Sequence, residues 1–170
     1  MTTQRDRIHR YVAGHPGVHF NELGRELDLA TGQLQYHLKK LRRADDVVAE
    51  SLYGRTHYYT PEYGDWERGA VAVLRRETAR DVLLYLIEVG PSAPAPVATD
   101  LDIARSTLEW HLDHLIEQDL VEKRRDDRGR VTLALSRPAE TADLLRSIEP
   151  SIPERLVDRF ARLVDNLVGE

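Results

Sequence analysis

The sequence predicts a mostly α fold with small β-hairpins (α+β), in which one building unit is used twice and further helices follow. Three observations carry this. Apolar residues recur at helical spacing in short runs parted by turn residues. Each set of three such runs is followed by two β-prone runs around a tight tip. The whole pattern then returns with an offset of 74 residues. Ile8, Tyr11, Leu23, Leu34, His37, Leu38 and Leu41 fall on Val82, Tyr85, Val97, Leu108, His111, Leu112 and Leu115, without a gap across the three-helix core.

In the first copy, residues 3–13 form a helix with Ile8, Tyr11 and Val12 on one face, stopped by Gly14-His15-Pro16-Gly17. Residues 20–27 form a short second helix with Phe20, Leu23 and Leu27 inward. A turn at 28–30 leads to a third helix ending at Arg43, for which Thr31 is the expected N-cap. Leu34, Leu38 and Leu41 make its apolar stripe. At about 100° per residue the opposite face carries Gln35, Tyr36, Lys39, Lys40 and Arg43, with no acid among them. Such a face suits phosphates and base edges in a major groove, and equally an ordinary solvated surface. The runs 47–51 and 56–60, on either side of Leu52-Tyr53-Gly54-Arg55, read as a hairpin. Three helices with a short turn before the third, followed by a hairpin, are the winged helix-turn-helix arrangement. Thr60-Pro61 fits the start of a connecting helix that runs to about Leu74 and packs Trp66, Ala70, Val73 and Leu74.

The second copy repeats the plan: a helix over 78–89, a looser proline-rich stretch at 90–96, a third helix over 105–118 and a hairpin with its tip at 126–129. Expected domains are therefore 1–61, a connecting segment 62–77, a second winged domain 78–136 and a helical tail 137–170. Within the tail, 139–148 suits one helix, and Ser151-Ile152-Pro153-Glu154 has capping-box spacing for another, reaching about 168. Its stripe of Leu156, Phe160, Leu163 and Leu167, flanked by Val157 and Val164, must pack on something. Two arrangements meet that need: folding back on its own domain, or pairing in a homodimer, the expectation adopted from sequence.

The run Thr31-Gly32-Gln33-Leu34-Gln35-Tyr36-His37-Leu38-Lys39-Lys40-Leu41 resembles the recognition helix of archaeal winged-helix regulators of the ArsR and MarR type, and Arg105-Ser106-Thr107-Leu108-Glu109-Trp110-His111-Leu112 resembles it again. The junction from Leu74 to Leu83 resembles the linker of archaeal proteins with two such domains in tandem. The resemblance implies a transcriptional regulator of double-stranded DNA. Its DNA-facing residues would be Thr31, Gln33, Gln35, Tyr36, Lys39, Lys40 and Arg43 on the helix and Tyr53 and Arg55 on the wing. Asp45-Asp46 departs from the Ala-Gly often found before the wing, which bears on the sharpness of that turn.

Charge separates the copies. Residues 1–61 hold 9 Lys and Arg against 7 Asp and Glu; residues 78–136 hold 7 against 11. Glu109, Trp110, Asp113, His114 and Glu117 face outward on the second third helix, so three acids would face the phosphates that the first copy's lysines attract. The first copy is expected to read DNA. The second offers a secondary DNA-binding candidate in its wing, Lys123, Arg124, Arg125, Arg128 and Arg130, and a candidate protein-binding face around Trp110.

Cations are 21 Arg and 3 Lys beneath an excess of acids, a bias that resembles proteins of salt-loving archaea. At about 1 M salt the Debye length is about 3 Å, so direct contacts would outweigh long-range attraction. The absence of cysteine excludes disulfides, thiolate metal sites and cysteine nucleophiles. No phosphate loop or nucleophile motif occurs, and no apolar run is long enough to span a bilayer. His15/His19 and His111/His114 have spacings that need a shared helical face to bind metal. The first pair straddles a Pro-Gly turn, and His111 flanks an apolar stripe as a structural residue. The expectation is a regulator without catalytic residues, metal or cofactor, cytoplasmic and nucleoid-associated, with no membrane partner. The competing classes are a protein-interaction scaffold and a chromatin-type binder without sequence preference.

Overall fold

The structure, a computed structural model, describes residues 1–147. The helix expected over 151–168 lies outside the described residues. The chain forms two compact units, the first Met1–Ala72 and the second beginning at Val73.

The first unit opens with α1 (Gln4–Gly14), capped by Thr3. The Thr3 hydroxyl accepts from the Asp6 N–H at 3.1 Å, and the Asp6 carboxylate accepts from the Thr3 N–H at 2.9 Å. β1 (Val18–His19), α2 (Phe20–Leu27), α3 (Thr31–Arg43), β2 (Val48–Leu52), β3 (Arg55–Tyr59) and α4 (Asp65–Leu74) follow. Ile8 and Val12 of α1, Leu23 and Leu27 of α2, and Leu34, Leu38 and Leu41 of α3 share one core with Val18, Val47 and Tyr58. Helical periodicity turns each stripe to this core and leaves the polar face of α3 outside.

The sheet has the order β1-β3-β2, antiparallel throughout, with Val18 opposite Tyr58 and Val48 opposite Tyr59. The sequence does not foretell β1, because two residues are too few to show alternation. The hairpin turns at Tyr53 and Gly54, whose φ values are 53° and 76°. Two successive left-handed residues suit the twist of a two-residue hairpin.

Two helix starts differ from expectation. Thr31 is already helical, and the N-cap is Ala30, in extended conformation with φ −65° and ψ 149°. The preceding turn sets this frame: Asp28 is left-handed (φ 52°) and the Leu29 N–H donates to the Gly24 carbonyl at 3.0 Å. Ala30 has no side-chain acceptor, and the Gln33 Oε1 accepts from its N–H at 3.4 Å instead. Nor does Thr60-Pro61 begin the connecting helix. α4 starts four residues later at Asp65, where Arg68 pairs with Asp65 and with Glu50 of β2 and donates to the Tyr63 carbonyl at 2.7 Å.

The second unit repeats the plan with α5 (Glu77–Val89), α6 (Pro94–Asp100), α7 (Arg105–Glu117), β4 (Val121–Arg125), β5 (Val131–Leu135) and α8 (Pro138–Ser147). The proline-rich stretch is only half loop, since Pro94 opens α6 at a position where its missing N–H costs nothing. Leu83, Leu108, Leu112, Leu115, Leu120 and Leu133 are fully buried. The repeat reaches the backbone: Asp28 and Asp45 are left-handed, and so are Asp102 and Asp119 at the same offset. The Leu29 to Gly24 hydrogen bond returns as Ile103 to Ala98, at 3.0 Å in both. The Asp45-Asp46 turn is as sharp as the wing requires, with the Asp46 N–H on the Leu41 carbonyl at 2.9 Å.

Candidate nucleic-acid interface

Thr31, Gln33, Gln35, Tyr36, Lys39, Lys40 and Arg43 are all exposed on α3. Tyr36 is 54% exposed, unusual for so large a ring. Lys40, one turn on, holds its ammonium 5.6 Å from the Tyr36 ring centre, and the Tyr36 ring meets His37 edge-on at 5.2 Å. The aromatic is thereby steadied while its outer face stays open. Among the described residues, no carboxylate forms an ion pair with Lys39, Lys40, Arg42 or Arg43. Arg42, unmarked in the sequence reading, adds an exposed cation beside Arg43. Gln33 is partly engaged in its own helix start, as described above; Gln35 is not.

The wing residues are placed differently from one another. Arg55 is exposed, and its Nη1 lies 3.4 Å from the Nε2 of His19. A guanidinium can only donate, so this Nε2 is the accepting nitrogen. Tyr53 is half-buried and its hydroxyl is buried. His19 and Arg25 were missed from sequence. With Asn21, Glu22, Arg55 and Thr56 they line a polar cleft of about 460 Å³ between α2 and the wing tip. His19 arrives there because the unforeseen β1 pairs with β3. Beneath it His57 is 3% exposed, its ring 4.4 Å from that of His19. The His57 Nδ1–H donates to the Gly17 carbonyl at 2.8 Å.

The matching surface of the second unit is chemically occupied. Glu109 accepts from Lys123 Nζ at 2.9 Å and from Arg105 Nε at 3.2 Å. The bond from Lys123 holds its carboxyl below the ordinary range, helped by Arg105 and opposed by burial. Of the five wing cations, Arg124 pairs with Glu122 at 2.7 Å and Arg130 with Asp126 at 2.7 Å. Arg125 and Arg128 remain exposed without an ion pair among the described residues. On α7 Trp110 is 47% exposed, with the Arg76 guanidinium 5.3 Å from its ring centre and the His114 ring at 4.3 Å.

The histidine pairs do not converge on a metal. His15 stacks on Tyr11 at 4.0 Å, and the His114 Nδ1–H donates to the Trp110 carbonyl at 2.8 Å. Among the described residues no group of three or more His, Asp or Glu could hold an ion. No helix among them is long and apolar enough to cross a membrane.

Comparison with known proteins finds a helix-turn-helix match in each unit. Residues 2–71 match an N-terminal HTH domain family, and residues 74–124 match a helix-turn-helix domain family. The chain is 26% identical over 131 residues to an uncharacterized HTH-type transcriptional regulator of Methanocaldococcus jannaschii; the match covers 77% of this chain and 33% of that relative. It is also similar to two solved structures of AbfR. One, with a disulfide formed, is 15% identical, with a TM-score of 0.41 over 82% of this chain and 92% of that one. The other, overoxidized and bound to DNA, is 16% identical, with a TM-score of 0.42 over 81% and 92%. The two helix-turn-helix domain matches follow one another along the chain, one in each compact unit.

Proposed function

We propose that this chain regulates transcription by inserting α3 into the major groove of double-stranded DNA, with the first wing on the adjacent backbone. The observation that carries this is the contrast between the equivalent helices. The cations of α3 have no carboxylate partner among the described residues, whereas Arg105 on α7 and Lys123 behind it are joined to Glu109. Cations without such partners can meet phosphates without first breaking an ion pair. Gln35 is the base reader, since an amide matches the paired donor and acceptor of an adenine edge. Lys39 and Arg43 anchor phosphates, Tyr36 supplies apolar contact, and Arg55 meets the backbone from the wing. Arg125 and Arg128 are a secondary backbone contact.

The experiment is selection from random-sequence DNA by the purified chain in molar KCl, beside a Lys39→Glu/Arg43→Glu variant. An enriched motif that the variant loses supports a site-specific regulator reading through the first unit. Binding without enrichment favours a chromatin-type role. No binding at any salt favours the interaction-module reading, for which the exposed Trp110 beside Asp113 and Glu117 is the specific observation.

A further inference from the structure

We propose that the polar cleft between α2 and the first wing seats a DNA backbone phosphate, and that His19 takes up a proton as the phosphate binds. This role presupposes the reading that the first unit meets duplex DNA, and it gives that unit a contact beyond α3. The cleft, of about 460 Å³, brings His19 of β1 and Asn21, Glu22 and Arg25 of α2 to Arg55 and Thr56 of β3. Amide, hydroxyl, imidazole and guanidinium groups line it, against one carboxylate, that of Glu22. Arg55 is exposed and forms no ion pair among the described residues. Arg25 has the Glu26 carboxylate at 3.7 Å, a loose and solvent-exposed pair that costs little to break.

The contact between Arg55 and His19 carries the role of the proton. Arg55 Nη1 lies 3.4 Å from His19 Nε2, and Nε2 is the accepting nitrogen. A neutral imidazole has one N–H, which then sits on Nδ1. The next proton goes to Nε2, the atom that faces Arg55. It turns an acceptor into a donor and sets one cation beside another. Without a ligand the two N–H groups repel. A phosphate oxygen between them accepts from both, through charge-assisted hydrogen bonds. Phosphate therefore favours the protonated ring, and by reciprocity protonation favours phosphate. The ring has a firm wall behind it. His57 pairs with His19 across the strands, its ring 4.4 Å away, and its Nδ1–H is fixed on the Gly17 carbonyl at 2.8 Å. The titratable and charged groups around His19 are thus Arg55 and His57 on β3 and Glu22 and Arg25 on α2. The two arginines oppose the proton and Glu22 supports it. A bound phosphate adds the negative charge that tips this balance.

The experiment is binding of the full chain to random-sequence duplex DNA between about pH 8 and 5, the range in which histidine changes charge, at several salt concentrations. Affinity should rise on acidification, by up to about tenfold per pH unit for one proton taken up. The slope of log K against log salt should steepen by about 0.9 as one more phosphate is neutralised. His19→Gln keeps an acceptor for Arg55 but takes no proton, so the acid gain should be lost. His19→Lys carries the charge at every pH tested, so it should show at pH 8 the steeper salt slope that the wild type reaches only in acid. An acid gain that survives in His19→Gln, or a His19→Lys slope equal to that of the wild type at pH 8, overturns the proposal. A titration of the His19 ring by NMR in the wild-type chain guards against misfolded variants. Its midpoint should move up when duplex DNA is added, and an unmoved midpoint is the contrary result. The α3 reading fails separately. Full affinity in Lys39→Gln/Arg43→Gln would sink that reading and leave the proton-linked seat standing. A wild type that needs Lys39 and Arg43 yet binds equally at every pH would sink the seat alone.

Discussion

Gly24 lies inside α2, where glycine costs about 1 kcal/mol relative to alanine. A Cβ built there would sit 3.5 Å from the Leu29 carbonyl oxygen and 3.6 Å from Leu34 Cδ2, both ordinary contacts. The equivalent residue of the second unit is Ala98, which makes the same turn hydrogen bond. Gly24→Ala should therefore stabilise the first unit by roughly 0.4–1 kcal/mol, read from the urea midpoint at unchanged slope. A loss would mean that the α2–α3 turn needs glycine for a reason other than space. His111 shows the opposite balance. Burial holds its pKa below the ordinary 6.5, helped by the positive Arg76 and by His114. As pH falls below about 6.5, the unfolded chain takes up this proton before the folded one does. The stability His111 contributes is present above that value and lost as pH drops through the folded one. His111→Gln should flatten the acid side of the second unit's stability profile as pH falls below about 6.5. An unaltered slope would show that another group governs it.

At the scale of elements, the two hairpins reach similar shapes by different chemistry. The first turns on Tyr53 and Gly54 alone, both left-handed. Gly54→Val places a β-branched side chain at φ 76° and should cost about 1–3 kcal/mol, seen as a lower thermal midpoint of the first unit. The second has a longer tip organised by Asp126, whose Oδ1 accepts from the N–H groups of Arg128 and Arg130 at 2.9 Å each. Its Oδ2 accepts from Arg130 Nε at 2.7 Å. Those backbone bonds, first the one from Arg130, hold the carboxyl below its ordinary range. What was legible in sequence follows from such local codes. Leu34, Leu38 and Leu41 announced the buried stripe of α3 through spacing, and the 74-residue echo announced the second unit. The exposed candidates on α3 followed from the same periodicity. What escaped depends on partners distant in sequence. β1 exists because Val18 and His19 meet Tyr58 and His57, 40 and 38 residues away, and with it came the placement of His19 beside Arg55. The ion pair of Glu109 was hidden likewise, since Lys123 reaches it from the next strand. Thr31 misled because cap preference is weak beside a turn whose backbone already fixes where the helix begins.

At the scale of the whole chain, two copies of one domain carry different amounts of available positive charge, and DNA binding should divide accordingly. Each phosphate contact releases counterions, so the slope of log K against log salt counts contacts at about 0.9 per phosphate. On the proposed reading, Lys39 and Arg43 supply two of them. Lys39→Gln/Arg43→Gln should lower the slope by about 2 and weaken all DNA alike. Gln35→Ala should leave the slope unchanged and relax preference at one or two positions, at about 1–3 kcal/mol of discrimination. In the second unit only Arg125 and Arg128 of the basic wing lack an ion pair among the described residues. Arg125→Gln/Arg128→Gln should therefore change the slope by less than the α3 pair does and leave any enriched motif intact. The comparison belongs at several salt concentrations, because screening at molar KCl removes the long-range part and isolates direct contacts. If the second-wing pair lowered the slope more than the α3 pair, the first unit would not be the anchor. The acidic surface of α7 would then have to be held away from the duplex while its wing grips it, since a carboxylate pressed against phosphate costs several kcal/mol.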